Sequence, residues 1–192
     1  MSAYYQKPIY NLGIFYNSDS CSVIPSQIVY SKLDACQLEK FASCLLTSPP
    51  NFVGDVASSF IQKCNVQLNS VNYRKVFDYK PFVIFQSFST PGCKVESLEI
   101  EQASRLQVCI QKFDGKRYVY ASDTNNVIGN LIGIDSISST ASRLNGTCSE
   151  LNQALNYNNQ FNVRIMNQDI GKCLDAGNIN GPTSQRWMVV WS

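Results

Sequence analysis

Eight cysteines recur in a repeating frame along a chain that contains no histidine, and this combination narrows the available folds more than any other feature. Cys21 and Cys36 lie 15 residues apart, Cys93 and Cys109 lie 16 apart, and each pair brackets similar sequence. The first reads GIFYNSDSC-SVIPSQIVYSKLDAC and the second FVIFQSFSTPGC-KVESLEIEQASRLQVC. A truncated third copy, FNVRIMNQDIGKC-LDAGNINGPTSQRWMVVW, sets Cys173 at the position of Cys21 and Cys93. Cys64 and Cys148 correspond as FIQKCNVQLN and LNGTCSELNQ. The pattern predicts a diverged tandem repeat: residues 1–80 as a first unit, 81–160 as a second and 161–192 as a partial third, packed as one compact domain.

Without histidine the Cys/His zinc sites cannot form, and no CxxC pair exists to seed an all-cysteine site or a thioredoxin-type redox motif. No metal and no cofactor are expected. Disulfides are then the reading for Cys21, Cys36, Cys44, Cys64, Cys93, Cys109, Cys148 and Cys173, and disulfides require an oxidising compartment. The expected location is extracellular or at the cell surface. The alternative is a set of buried free thiols, since cysteine packs as a small hydrophobe. The start MSAYYQKPIY has neither an apolar stretch nor a cleavage site, so a secreted chain is expected here in mature form with an added first residue. Eight cysteines allow 105 connectivities. One scheme pairs Cys21–Cys36 and Cys93–Cys109 within each unit, with Cys44–Cys64 and Cys148–Cys173. A second makes Cys64–Cys93 and Cys148–Cys173 the equivalent bonds. The first is preferred for its short loops, each worth about 3 kcal/mol in the chain-entropy model.

Strand signals dominate. Tyr10–Tyr16 and Phe82–Phe88 are aromatic and β-branched runs, ended by the turn clusters NSDS and STPG. Gln27–Leu33 and Glu96–Gln102 follow as second strands, with Leu98 and Ile100 on one face and Glu99 and Glu101 on the other. Further strands are expected at Tyr73–Phe77, Arg117–Ala121, Val127–Ile134, Phe161–Met166 and Trp187–Trp191. Helical spacing is confined to Asp34–Leu46 and Val53–Cys64. The fold class expected is mainly β: duplicated disulfide-stabilised units, sandwich-like, with one or two short helices in the first.

Charged residues make up only 16% of the chain and the net charge is +2, with Lys and Arg scattered. That excludes a nucleic-acid interface, which needs clustered cations. No apolar run approaches the roughly 18 residues of a membrane span. Asn145-Gly146-Thr147 is a glycosylation sequon, so Asn145 is a candidate glycan attachment site.

Histidine-dependent nucleophiles are ruled out. Carboxylate chemistry of the glycosidase kind stays open, with Glu96, Glu99, Glu101, Asp114, Asp123 and Asp135 as the acids and Glu99 with Glu101 sharing a strand face. A solvated strand face is the simpler reading of that pair. The loops Asn17-Ser18-Asp19 and Asp123–Asn126 read as turns rather than calcium loops. Trp187 and Trp191 fall on one face of an expected strand, suited to core packing or to stacking a sugar.

The terminal segment KCLDAGNINGPTSQRW resembles a fragment of the ricin-type lectin repeat, a cysteine-leucine-aspartate start and a Gln-x-Trp end. The resemblance implies a sugar pocket formed by Asp175, Gln185 and Trp187, beside Cys173 and Leu174. The aromatic strand, NSDSC turn, second strand and cysteine, set in serine- and asparagine-rich sequence, resemble the small secreted cysteine-repeat proteins of social amoebae. That implies an extracellular protein and no catalytic residues. The expected function is a secreted or surface-exposed non-catalytic binding or adhesion protein. It would recognise a glycan or an extracellular protein partner, the candidate contacts being Trp187, Trp191, Gln185 and Asp175. The alternatives are a carbohydrate-active hydrolase using paired carboxylates and a self-associating coat or virion component.

Overall fold

A computed structural model of the protein describes residues 9–32, 43–48, 58–106, 108–111, 117–122, 131–133, 163–165, 169–175 and 183–191. The strands are β1 (Ile9–Tyr16), β2 (Gln27–Ser31), β3 (Leu45–Ser48), β4 (Ser58–Gln67), β5 (Phe82–Phe88), β6 (Leu98–Arg105), β7 (Cys109–Gln111), β8 (Arg117–Ser122), β9 (Leu131–Gly133), β10 (Val163–Ile165), β11 (Cys173–Asp175) and β12 (Ser184–Val190). Eight form one sheet in the order β11-β12-β5-β6-β2-β1-β4-β3, and four form another in the order β10-β9-β8-β7. The fold is mainly β, as expected, with every pair in the large sheet antiparallel.

Read outward from its centre, the large sheet has two halves of identical order: β2-β1-β4-β3 and β6-β5-β12-β11. The registers agree residue by residue. Gly13 pairs with Val29 in the first hairpin as Phe85 pairs with Gln102 in the second. Val29 and Gln102 then pair with each other across the β2–β6 seam. An approximate two-fold axis therefore passes between these two residues, relating β1–β4 to β5 and β6 from residues 81–160 together with β11 and β12 from residues 161–192.

The alternation along β1 sends Tyr10, Leu12, Ile14 and Tyr16 to one face, where they pack with Ile28, Tyr30, Val66, Phe82, Ile84, Phe88, Leu98 and Ala103. Burying one such side chain contributes about 1.5–3 kcal/mol, so this face carries most of the fold. The opposite face has a smaller cluster of Val83, Leu106 and Trp187, with Phe85 and Trp187 in contact at 4.5 Å between ring centroids.

Three local expectations are corrected. Tyr73–Phe77 is not a strand: Tyr73–Val76 is a single helical turn (α1), capped by Asn72 Oδ1 accepting from the Lys75 N–H at 3.2 Å. The turn sets Tyr73 against the fully buried Phe77. The helical spacing of Val53–Cys64 misleads over its described part, because Ser58–Gln67 is β4; residues 53–57 lie outside the described residues. Phe60 stacks on Phe15 on one face of the sheet while Ile61 packs into the core on the other. Adjacent apolar residues serving both faces imitate a helical period. For Asp34–Leu46, the end Leu45–Leu46 is strand β3, and residues 33–42 lie outside the described residues. α1 is the α-helix among the described residues.

Both pairing schemes are overturned as well. Cys21 bonds Cys44, and Cys93 bonds Cys173. Cys64 is buried and disulfide-bonded, while Cys36 and Cys148 lie outside the described residues. The two bonds are equivalent under the two-fold. Each links the turn after a hairpin's first strand to the outermost strand of its half, across the intervening strand. The crossed strand carries a buried serine in each case: the Ser59 hydroxyl donates to the disulfide sulfur Cys21 Sγ at 3.4 Å, and the Cys93 N–H donates to Ser184 Oγ at 3.1 Å. Cys173 is thus the counterpart of Cys44 rather than of Cys21 and Cys93. Cys64 lies on β4, whose counterpart β12 has no cysteine; its expected match, Cys148, lies outside the described residues.

The closed loops differ in length, with separations of 23 residues for Cys21–Cys44 and 80 for Cys93–Cys173. The chain-entropy model gives about 3.4 and about 4.5 kcal/mol respectively. Urea denaturation of the two double-alanine variants should therefore show the larger loss for Cys93→Ala/Cys173→Ala. The reverse order would mean that the edge strand β3 depends on its bond more than the unfolded chain does.

Candidate functional site

Asn17, Ser22, Val23, Ile24, Ser26, Arg105 and Val108 line an open groove of about 560 Å³. The turn after β1 supplies most of the wall. Its return into β2 is fixed where the Ser26 N–H and Oγ both donate to the Phe15 carbonyl, at 2.8 and 3.2 Å. The Cys21–Cys44 bond ties the same turn to β3. Arg105 enters from the end of β6, its N–H donating to the Ser26 carbonyl at 3.0 Å. Val23 is 48% exposed, so the groove offers aliphatic surface beside hydroxyl, amide and guanidinium groups.

A second polar cluster lies inside the main core. Glu101 is 4% exposed and accepts from Tyr73 Oη and Gln86 Nε2, each at 2.5 Å. Gln86 Oε1 in turn accepts from Arg186 Nε at 2.8 Å, and the Arg186 guanidinium sits 5.6 Å over the Phe88 ring. Arg186, Gln86 and Glu101 are direct register partners across β12, β5 and β6. Under the two-fold their counterparts are Ile61, Ile14 and Ile28, which are likewise register partners. One half carries an apolar row where the other carries a cation, an amide and a carboxylate.

A β-bulge makes this possible. Ser87 pairs with Ile100 but Phe88 with Leu98, leaving Glu99 as the extra residue. The expected alternation of Leu98 and Ile100 against Glu99 and Glu101 is thereby corrected. Leu98 and Glu101 both reach the core, and Ile100 is 38% exposed. Glu99 instead forms a surface ion pair with Lys32 at 3.4 Å. Neither carboxylate lines the groove. Glu96 is exposed in a 3₁₀ turn, and Asp114, Asp123 and Asp135 lie outside the described residues. No group of cysteine and carboxylate side chains among the described residues is arranged to hold a metal.

The residues singled out by the lectin resemblance fall on the hairpin β11–β12, where Leu174 pairs with Gln185 and Asp175 with Ser184. Trp187 is 5% exposed and its ring is packed in the core, so it presents no stacking face. Trp191, just beyond β12, is 41% exposed. Asp175 is exposed and Gln185 half-buried. Asn145 lies outside the described residues. The groove residues carried no motif. Their one sequence signal is the SVIPS turn between the two strands of a hairpin.

Glu101→Ile alone leaves Tyr73 Oη and Gln86 Nε2 without their acceptor and should cost about 1–3 kcal/mol in urea denaturation. The quadruple variant Glu101→Ile/Gln86→Ile/Arg186→Ile/Tyr73→Phe removes every polar partner in the row and should recover to within about 1 kcal/mol of the wild type, or exceed it. A quadruple variant no better than the single one would show that the two rows are not interchangeable. Burial, reinforced by the negative charge of Glu101, holds the Tyr73 hydroxyl far above its ordinary value of 10.0, and burial also raises Tyr10 and Tyr16. The folded state keeps protons that the unfolded chain releases near pH 10, so stability is complete below that pH and falls as pH rises beyond it. Urea midpoints should be flat from about pH 7 to 9 and decline from about 10, less steeply for Tyr73→Phe.

The chain matches no protein-family model, no curated protein and no solved structure.

Proposed function

We propose that the protein is a non-catalytic binding protein of an oxidising, extracellular or cell-surface setting, and that it recognises a glycan in the groove beside Arg105. The observation that carries this reading is the character of the groove. Ser22 and Asn17 share the lining with Val23, Ile24, Val108 and the cation Arg105. Sugars present hydroxyl edges and C–H faces, and such a lining meets both. The volume falls within the ordinary range of about 300–1,000 Å³ for small-ligand sites. The Cys21–Cys44 and Cys93–Cys173 bonds support the oxidising setting. No helix among the described residues is long and apolar enough to cross a membrane. The ion-paired Glu99 and the buried, doubly bonded Glu101 favour binding over hydrolysis.

Oxidised full-length protein should bind members of a glycan array, and Ser22→Trp should lower that binding at least about tenfold, since the indole would fill the groove from an exposed position. Unchanged binding by Ser22→Trp, with the fold intact by circular dichroism, would sink the assignment to this groove. Release of reducing sugar from any bound glycan would sink the non-catalytic reading.

A further inference from the structure

The two-fold relation between the halves exposes one cation that has kept its place and lost its partner. At one end of the β2–β6 seam the Lys32 N–H donates to the Glu99 carbonyl at 2.8 Å, and Lys32 Nζ pairs with Glu99 Oε1 at 3.4 Å. At the other end the same backbone bond recurs, from the Arg105 N–H to the Ser26 carbonyl at 3.0 Å. Arg105 stands where Lys32 stands, and Ser26 where Glu99 stands. The Ser26 hydroxyl donates to the Phe15 carbonyl instead.

Arg105 is left with a buried Nε that has no hydrogen-bond partner. Burial lowers its pKa, opposed by the charge of Asp78, which makes no ion pair with it. A guanidinium stays charged in proteins, and its planar fork matches a carboxylate. An unpaired buried donor of this kind is uncommon in a folded chain and calls for an explanation. Arg105 is also a lining residue of the groove already described, so a ligand seated there lies beside the unpartnered guanidinium.

From this asymmetry we infer that the groove takes a carboxylate-bearing sugar, whose carboxylate meets Arg105 as Glu99 meets Lys32. The inference rests on the glycan reading and narrows it to acidic monosaccharide units. The carboxylate supplies the charge-assisted bonds that fix orientation. Ser22 and Asn17 face the sugar hydroxyls, and Val23, Ile24 and Val108 face its C–H surface.

The test uses oxidised full-length protein, titrated with glucuronate and with glucose and followed at the Arg105 Nε–H resonance and by calorimetry. Glucuronate should bind at least about tenfold more tightly and shift that resonance, while Arg105→Gln should bring the two sugars within about twofold of each other. Equal affinities for the wild type, or a preference that survives Arg105→Gln, would overturn the inference. Should Arg105→Gln fail to fold, the wild-type resonance decides alone: no shift with glucuronate overturns it. A third arm with lactate separates the two layers. Glucose and glucuronate binding equally leaves the glycan reading standing and removes the carboxylate. Lactate shifting Arg105 with neither sugar binding removes the acidic sugar and the glycan reading together, and leaves an Arg105 carboxylate site for a non-sugar acid.

Discussion

The antiparallel pairing of β2 with β6 is the constraint on which the rest of the large sheet depends. Each half would otherwise end at its hairpin with an open row of N–H and C=O groups, and an isolated short sheet of that kind is marginal in water. Joining the halves at Val29 and Gln102 makes both edges interior and brings Tyr10, Ile28, Leu98 and Ala103 into one core. The Tyr10 hydroxyl donates to the Leu98 carbonyl across the seam at 3.3 Å. Tyr30, at the seam, accepts from the Val71 N–H and exchanges a hydrogen bond with Ser70, fixing the approach to α1. The outer edges are left short, three residues in β11 and four in β3, and each is held by the disulfide that reaches across its neighbour.

Two halves built alike allow each to serve as a reference for the other. The row Ile61, Ile14, Ile28 shows what this position needs for packing alone. Arg186, Gln86 and Glu101 hold the equivalent row with hydrogen bonds, at the desolvation cost that buried charges carry. Lys32 with Glu99 shows the seam end closed by an ion pair, whereas Arg105 with Ser26 shows it open beside a groove. Departures of this kind mark positions where stability is not the sole demand on the sequence, because the apolar or paired solution already exists in the same molecule.

Much of the β architecture was legible. Phe82–Phe88 is a strand with its expected limits, and the expected Tyr10–Tyr16 and Gln27–Leu33 are found as Ile9–Tyr16 and Gln27–Ser31. These runs combine β-branched and aromatic residues with turn chemistry close by, so the local signal suffices. Where the signal came from two faces at once, as at Phe60–Ile61, period misled. Where one residue was added, at Glu99, every side chain beyond it changed face, and a buried carboxylate appeared where a solvated one was expected. Trp187 shows the converse limit. Its Gln-x-Trp setting suggested a sugar platform, but its place between Val83 and Leu106 is set by strands distant in the chain.

The cysteine frame, the missing histidine and the alternation of apolar residues determined by themselves a disulfide-braced, mainly β protein, since each depends on composition or on neighbours a few residues apart. The tertiary structure decided the order of the strands, the partners of Cys21 and Cys93, the burial of Glu101 and the unpartnered Nε of Arg105. Those depend on which strand lies beside which. That choice is made by packing between segments far apart in the chain, as in the bond from Arg186 to Gln86, and such packing leaves no local periodicity to read.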